Sequence, residues 1–130
     1  MREILFRGKR VDKGEWVKGD LSQHKTGKRF IKCGSAISSF EVIPETIGQY
    51  TGLTDKNGKK IFEGDIVDCW SEGVNAQGTV QQREDGLWII YPAWQKHITW
   101  GLCPDAYNNT TVEIIGNIHD NPELLGGVEE

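Results

Sequence analysis

The chain has 130 residues and a mass of 14.6 kDa, one ordinary domain able to bury roughly two-thirds of its surface without disulfides. Fifteen basic and 19 acidic side chains leave a net charge of −4, too mild to mark a nucleic-acid or membrane protein by total charge. No apolar run approaches the ~20 residues of a spanning helix, Met1–Arg10 carries no signal-peptide pattern, and the odd, widely spaced Cys33, Cys69 and Cys103 fit reduced thiols in a cytosol better than a disulfide frame.

Composition then sets the fold class. Val, Ile and Thr together number 29, against 12 for Ala, Leu and Met, and side chains stiff at χ1 suit a pleated surface better than a helix. Sixteen glycines exceed the usual ~7%, so turns are many and long helices few. The class is mainly β.

Strand signals follow one another along the chain. Ile4–Arg7 leads through the turn residues Asp12-Lys13-Gly14 into Glu15–Leu21, a hairpin pattern, and Arg29–Cys33 is a short third strand. Gly34–Ser39 reads as a loop. Thr46–Thr51 alternates loosely before Thr54-Asp55-Lys56-Asn57-Gly58, where Asn57-Gly58 is suited to positive φ in a type I′ turn. After Glu63-Gly64 comes the strand Asp65–Trp70, then a second expected loop at Ser71–Gly78. Gln77–Arg83 and Leu87–Tyr91 are joined by Glu84-Asp85-Gly86 as a hairpin. In His97–Leu102 the residues Ile98, Trp100 and Leu102 share a face, and in Val112–Ile118 the residues Val112, Ile114, Gly116 and Ile118 do the same. The one helix start is Asn121-Pro122-Glu123, cut short by Gly126-Gly127 to about one turn. Short strands at about ten-residue spacing read as a small barrel or a sandwich.

Charge is unevenly placed. Residues 1–32 hold ten Lys/Arg and four acids, whereas 33–130 hold five and fifteen. Arg7, Lys9, Arg10, Lys28, Arg29 and Lys32 lie on or beside early strands with Phe6, Trp16 and Phe30 among them, a combination that can track a phosphate chain while bases stack. The opposing reading places these aromatics in the core and lets the basic and acidic segments offset each other. Five tryptophans, with Trp88, Trp94 and Trp100 crowded together, point to a protein interface or to a well-filled core. Edge strands of an open barrel also need cover, which self-association supplies.

Catalytic and metal chemistry find weaker support. Asp65 after Gly64 reads as a turn residue accepting backbone N–H groups. With Glu63 and Asp68 it makes a poor cation site, because Asp65 and Asp68 fall on opposite strand faces. Cys33, Cys69, Cys103, His24, His97 and His119 show no zinc-ligand spacing. Cys103 with His97 or His119 is the remote enzyme alternative, and Pro104-Asp105 offers nothing to stabilise a thiolate.

Three blocks carry a resemblance. They are Met1–Gly8; Ile43-Pro44-Glu45-Thr46-Ile47-Gly48-Gln49-Tyr50-Thr51-Gly52-Leu53 with Asp55-Lys56-Asn57-Gly58 and Ile61-Phe62-Glu63-Gly64-Asp65-Ile66-Val67; and Glu113–Ile118 with Asn121-Pro122-Glu123-Leu124-Leu125. Together they resemble the YopX protein family, small proteins found largely in phages and prophages of Gram-positive bacteria. The resemblance implies a β-rich fold whose Glu-Gly-Asp-Ile-Val segment is similar to that of SH3-like small barrels, and it carries over no catalytic residue. The expectation is therefore a single domain over 1–130: an SH3-like small barrel at roughly 44–120, an N-terminal β-hairpin layer and a short C-terminal helical turn. The expected function is non-enzymatic: a phage accessory protein in the host cytoplasm, acting by association with itself or with a host or phage protein. It needs no cofactor or metal and makes no membrane contact, and the basic N-terminal face offers nucleic-acid binding as the alternative.

Overall fold

The structure, a computed structural model, describes residues 4–33, 38–71, 74–84, 86–91, 100–102, 104–121 and 123. It is mainly β, and the chain divides into two compact units, Met1–Tyr50 and Thr51–Glu130.

In the first unit β1 (Phe6–Lys9), β2 (Trp16–Gln23), β3 (Arg29–Lys32) and β4 (Ser39–Val42) form an antiparallel meander. The start of β5 (Gly48–Thr54) pairs with β1 on the side away from β2. The turn at Asp12-Lys13-Gly14 is closed by Arg10 N–H to Glu15 O at 2.8 Å, and Gly14 takes the left-handed conformation that β-carbons oppose (φ 69°). β2 serves two partners. Trp16–Gly19 pairs with β1 and Asp20–Gln23 with β3, so the strand bends at Gly19. A Cβ there would lie 2.0 Å from the Lys32 carbonyl oxygen, which only glycine avoids. The bend curls the sheet until Val42 bridges Arg10 and Ile43 N–H reaches Lys9 O at 2.9 Å. Ile31 and Val42 are sealed inside, and Gly8 leaves room for Val42 where a Cβ would come within 2.9 Å of it. A 3₁₀ turn, Pro44–Thr46, follows with proline at its start, and the Thr46 hydroxyl accepts the Lys9 N–H at 2.9 Å.

The second unit holds the end of β5, then β6 (Lys60–Phe62), and a five-stranded antiparallel sheet in the order β10-β9-β8-β7-β11. Its strands are β7 (Asp65–Ser71), β8 (Val74–Gln82), β9 (Trp88–Tyr91), β10 (Trp100–Gly101) and β11 (Glu113–Asn117). One face carries the core: Val67, Cys69, Val80, Ile90 and Leu102, joined by Ile61 and Val112, with Leu53, Trp88 and Ile114 packed against them. Full burial of such aliphatic side chains contributes about 1.5–3 kcal/mol each.

Several expectations change. No closed barrel forms among the described residues: strands of two to nine residues make open sheets, and the Ile114 N–H on edge strand β11 is taken by the Asp55 carboxylate rather than by another strand. The loop expected at Ser71–Gly78 is largely strand, because Gly78 pairs with Val67 inside the sheet, where a small residue is accommodated rather than signalling a turn. β4 and β6 are additional strands, and the 3₁₀ turn at Pro44 is an additional helical element. The face of Val112–Ile118 is interrupted. The register shifts between Ile114 and Gly116, so Ile115 is the extra residue of a bulge and Ile118 is left 37% exposed. The expected C-terminal helical turn rests on Pro122, Leu124 and Leu125, outside the described residues.

Candidate binding groove between two aspartate turns

The turn after β5 is organised by a buried carboxylate. Asp55 is 1% exposed; its Oδ1 accepts the N–H groups of Asn57 and Lys59, both at 2.9 Å, and its Oδ2 accepts the Ile114 N–H at 3.1 Å. Gly58 N–H donates to Asp55 O at 3.0 Å and Asp55 N–H to Lys59 O at 2.8 Å. Only Gly58 of the Asn57-Gly58 pair has positive φ (83°), so the expected type I′ turn is replaced by a turn built on the aspartate side chain.

Residues 105–109 repeat this arrangement. Asp105 Oδ1 accepts Tyr107 N–H at 2.7 Å and Asn109 N–H at 3.1 Å, Asn108 N–H donates to Asp105 O, and Asp105 N–H donates to Asn109 O. Asn108 takes the place of Gly58 and is the only described non-glycine residue at positive φ (66°), where asparagine is tolerated better than most residues. The two turns are stitched side by side through Thr54. Its N–H donates to Asn108 O, its carbonyl accepts both the N–H and the hydroxyl of Thr110 at 2.8 and 2.9 Å, and its own hydroxyl donates to the Asn109 side-chain oxygen. Lys56 N–H to Val112 O at 2.8 Å continues the seam.

Between them lies an open groove of about 530 Å³ lined by Asp55, Lys56, Gly58, Asn109, Thr110 and Thr111, within the usual span of ligand sites. Asp55 spends its oxygens on the backbone, and Thr110 spends its hydroxyl on Thr54. The Lys56 ammonium, 3.4 Å from the Glu113 carboxylate, the Asn109 amide and the Thr111 hydroxyl are what the walls offer a ligand. Tyr107, on the turn that builds one wall, is 83% exposed. The groups on the walls are suited to holding a ligand by hydrogen bonds and charge.

The basic residues singled out by sequence divide. Arg7 and Lys9 share a face of β1, with Lys18 and Trp16 directly opposite on β2. The Arg7 guanidinium and Lys9 ammonium sit 4.9 and 5.8 Å from the Trp16 ring centre. Lys32 lies on the same face of β3, across from Asp20. Arg10 belongs to the opposite face, stacked 4.2 Å over Phe40 and held by both oxygens of Asp12 (3.0 and 2.8 Å) and by Glu15. That bond raises the Arg10 pKa and holds the Asp12 carboxyl below its ordinary range. Arg29 also alternates away from Lys32 and bonds Gly27 O, while Lys28 is an exposed residue beside the β2–β3 turn. The six therefore form no single patch.

The remaining candidates also have places. Trp88 is half-buried against the core. Trp100 pairs with Ile90 through its backbone; its side chain, and all of Trp94, His97 and Cys103, lie outside the described residues. Asp65, 2% exposed, accepts the Phe62 N–H at 2.8 Å, the turn role its sequence setting suggests, and Asp68 accepts from Gln77 at 2.6 Å. Burial, reinforced by Asp68, pushes the Cys69 thiol up to about 11. His24 rests on the Phe30 ring at 4.6 Å, and no three metal-type ligands come together among the described residues.

Lys56, Asn109, Thr111 and Tyr107 were not flagged by sequence. The signal was present as a shared Asp-x-x-(Gly/Asn) spacing at 55–58 and 105–108, hidden because Asn57-Gly58 alone already reads as a hairpin.

Among solved structures, the crystal structure of protein EF1440 from Enterococcus faecalis is similar at 22% identity over 96% of this chain and 99% of that one, with a TM-score of 0.47. No curated protein matches the chain. The model of the YopX protein family matches residues 5–126, nearly the whole length, and the chain belongs to that family.

Proposed function

We propose that this is a non-enzymatic phage or prophage accessory protein of the bacterial cytoplasm that works by protein association, docking a second copy or a host or phage protein at the end of its second unit, an open SH3-like scaffold. The observation that carries this reading is Tyr107, 83% exposed on a turn whose backbone is pinned by Asp105. A ring held out in water on a fixed turn loses little conformational entropy on docking, and tyrosine is enriched in interfaces for that reason.

The test is light scattering at micromolar concentration, together with a nuclease-treated pull-down from host cells, using the wild type and Tyr107→Ser. Association above 14.6 kDa that persists at high salt, or a nuclease-resistant partner, with either lost in Tyr107→Ser, is the expected result. A wild type that stays at 14.6 kDa and retains no Tyr107-dependent partner overturns the reading.

A second reading has its own observation. Arg7, Lys9 and Lys18 gather around Trp16 on one face of the first unit, a unit with ten Lys/Arg against six acids. Such a face supports single-stranded nucleic-acid binding. Affinity for DNA should then fall steeply between low and moderate salt and weaken in Arg7→Ala/Lys9→Ala, whereas Arg10→Ala should leave it unchanged. A flat salt titration ends this reading.

A further inference from the structure

We infer that the groove between the two aspartate turns takes a short acidic peptide segment of the partner protein, an inference that rests on the association reading and names the chemistry of its ligand. The second unit is acidic, with five Lys/Arg against thirteen Asp/Glu. Three of those five cations, Lys56, Lys59 and Lys60, are exposed on one five-residue stretch: Lys56 lines the groove and the other two follow Gly58, itself a lining residue. The Asp55 carboxylate on the groove wall and Glu113 beside Lys56 offset two of these three charges, and the one that remains makes a small positive spot that draws a complementary anion. The exposed Asn109 and Thr111 across the groove supply polar partners for a peptide backbone, and Tyr107, exposed two residues before Asn109 and outside the groove lining, is an apolar ring for a side chain that flanks the segment.

The surrounding charge limits the length of the anion. Within a Debye length of about 8 Å a few carboxylates meet the lysines, but a long polyanion such as nucleic acid continues onto a unit rich in carboxylates and is repelled. A segment of a few Asp/Glu residues satisfies both conditions. The Lys56–Glu113 ion pair, 3.4 Å apart on the surface, is the internal contact that an incoming carboxylate displaces.

The experiment uses fluorescence anisotropy of the full chain with three labelled probes: a peptide of four consecutive glutamates flanked by serines, the same peptide with glutamines, and a thymidine decamer. The glutamate peptide should bind, the glutamine peptide should not, and binding should weaken as salt rises from about 50 to about 300 mM. Replacing Lys56, Lys59 and Lys60 together by Glu should reduce affinity by at least ~10-fold. Unchanged circular dichroism and melting would show that the fold is intact, as expected for three exposed side chains. Glu113→Gln, which releases Lys56, should tighten binding by ~2-fold. Equal binding of the glutamine peptide, an unchanged affinity in the triple variant, or tighter binding of the decamer overturns the inference. If the glutamate peptide fails while Tyr107-dependent association persists, the inference alone falls; if the peptide binds and Tyr107→Ser leaves every association intact, the earlier reading falls.

Discussion

Removing the Asp55 carboxylate should be among the most damaging single changes in the second unit, and the structure sets its size. In Asp55→Ala the Ile114 N–H loses its acceptor on a half-buried strand, a loss of about 2 kcal/mol, because little water reaches it. The Asn57 and Lys59 N–H groups face an exposed turn where water substitutes, so each loss costs about 1 kcal/mol. The sum is about 4 kcal/mol. Asp55→Asn keeps an oxygen for the turn but turns an NH₂ toward the Ile114 N–H, so only the first loss applies, about 2 kcal/mol. Asp105→Ala removes a matching pair of turn bonds from an exposed carboxylate and should cost about 1–2 kcal/mol. Urea unfolding followed by tryptophan fluorescence measures all three on one scale. The reasoning is refuted if Asp55→Ala costs no more than Asp105→Ala, or if Asp55→Asn is as harmful as Asp55→Ala.

Further outcomes follow from close contacts and one titration. Gly19→Ala puts a methyl 2.0 Å from the Lys32 carbonyl oxygen and should destabilise by more than ~2 kcal/mol, whereas Gly14→Ala, with open space around its Cβ, should cost only the strain of its positive φ, about 1 kcal/mol; equal effects in urea unfolding would refute the bend at Gly19. Gly58→Val should cost more than ~1 kcal/mol through its φ of 83°, and a neutral result would mean the turn is built otherwise. The Cys69 thiol titrates near 11 when folded, above its ordinary value of 9.0, so the unfolded chain loses the proton first; stability is full below about pH 9 and declines as pH rises toward 11. Iodoacetamide should accordingly modify Cys69 very slowly at pH 8 in the native protein, and rapid labelling of a folded sample would contradict its burial.

Much of the fold was legible where local chemistry decides it. Asp12-Lys13-Gly14 and Glu84-Asp85-Gly86 marked two hairpins because glycine at the last position takes a backbone conformation that few other residues accept: Gly14 has φ 69° and Gly86 93°. β7 and β9 were visible because their apolar residues are continuous with the core. Other elements depend on neighbours distant in sequence. β4 follows at once on the Gly34–Ser39 loop signal and β6 on the Asp55–Gly58 turn, and both are strands because β3 and β5 lie beside them. Gly78 looked like a turn residue and is a strand residue across from Val67; the bulge at Ile115 cannot be read from an unbroken apolar series. The basic N-terminal quarter shows the same limit. Its total charge is plain in sequence, but strand alternation sends Arg10 and Arg29 away from Arg7, Lys9 and Lys32.

The groove shows why composition alone misplaced the functional emphasis. Its walls come from residues 55–58 and 109–111, more than 50 positions apart, and meet because Thr54, Asp55 and Lys56 are hydrogen-bonded across the seam to residues 108–114. Until they meet, Lys56, Lys59 and Lys60 are a minor feature of an acidic segment, and the ten Lys/Arg of the first unit dominate any count. Electrostatic recognition, however, depends on local potential within a Debye length rather than on totals. A cluster of cations beside a polar groove in an acidic unit discriminates against long anions as well as favouring short ones, which a uniformly basic face does not do. Adding charge to the groove should therefore trade selectivity for affinity. Glu113→Gln should raise binding of the glutamate peptide and of the thymidine decamer, the decamer by the larger factor. An equal gain for both would mean that the acidic surroundings take no part in the choice of ligand.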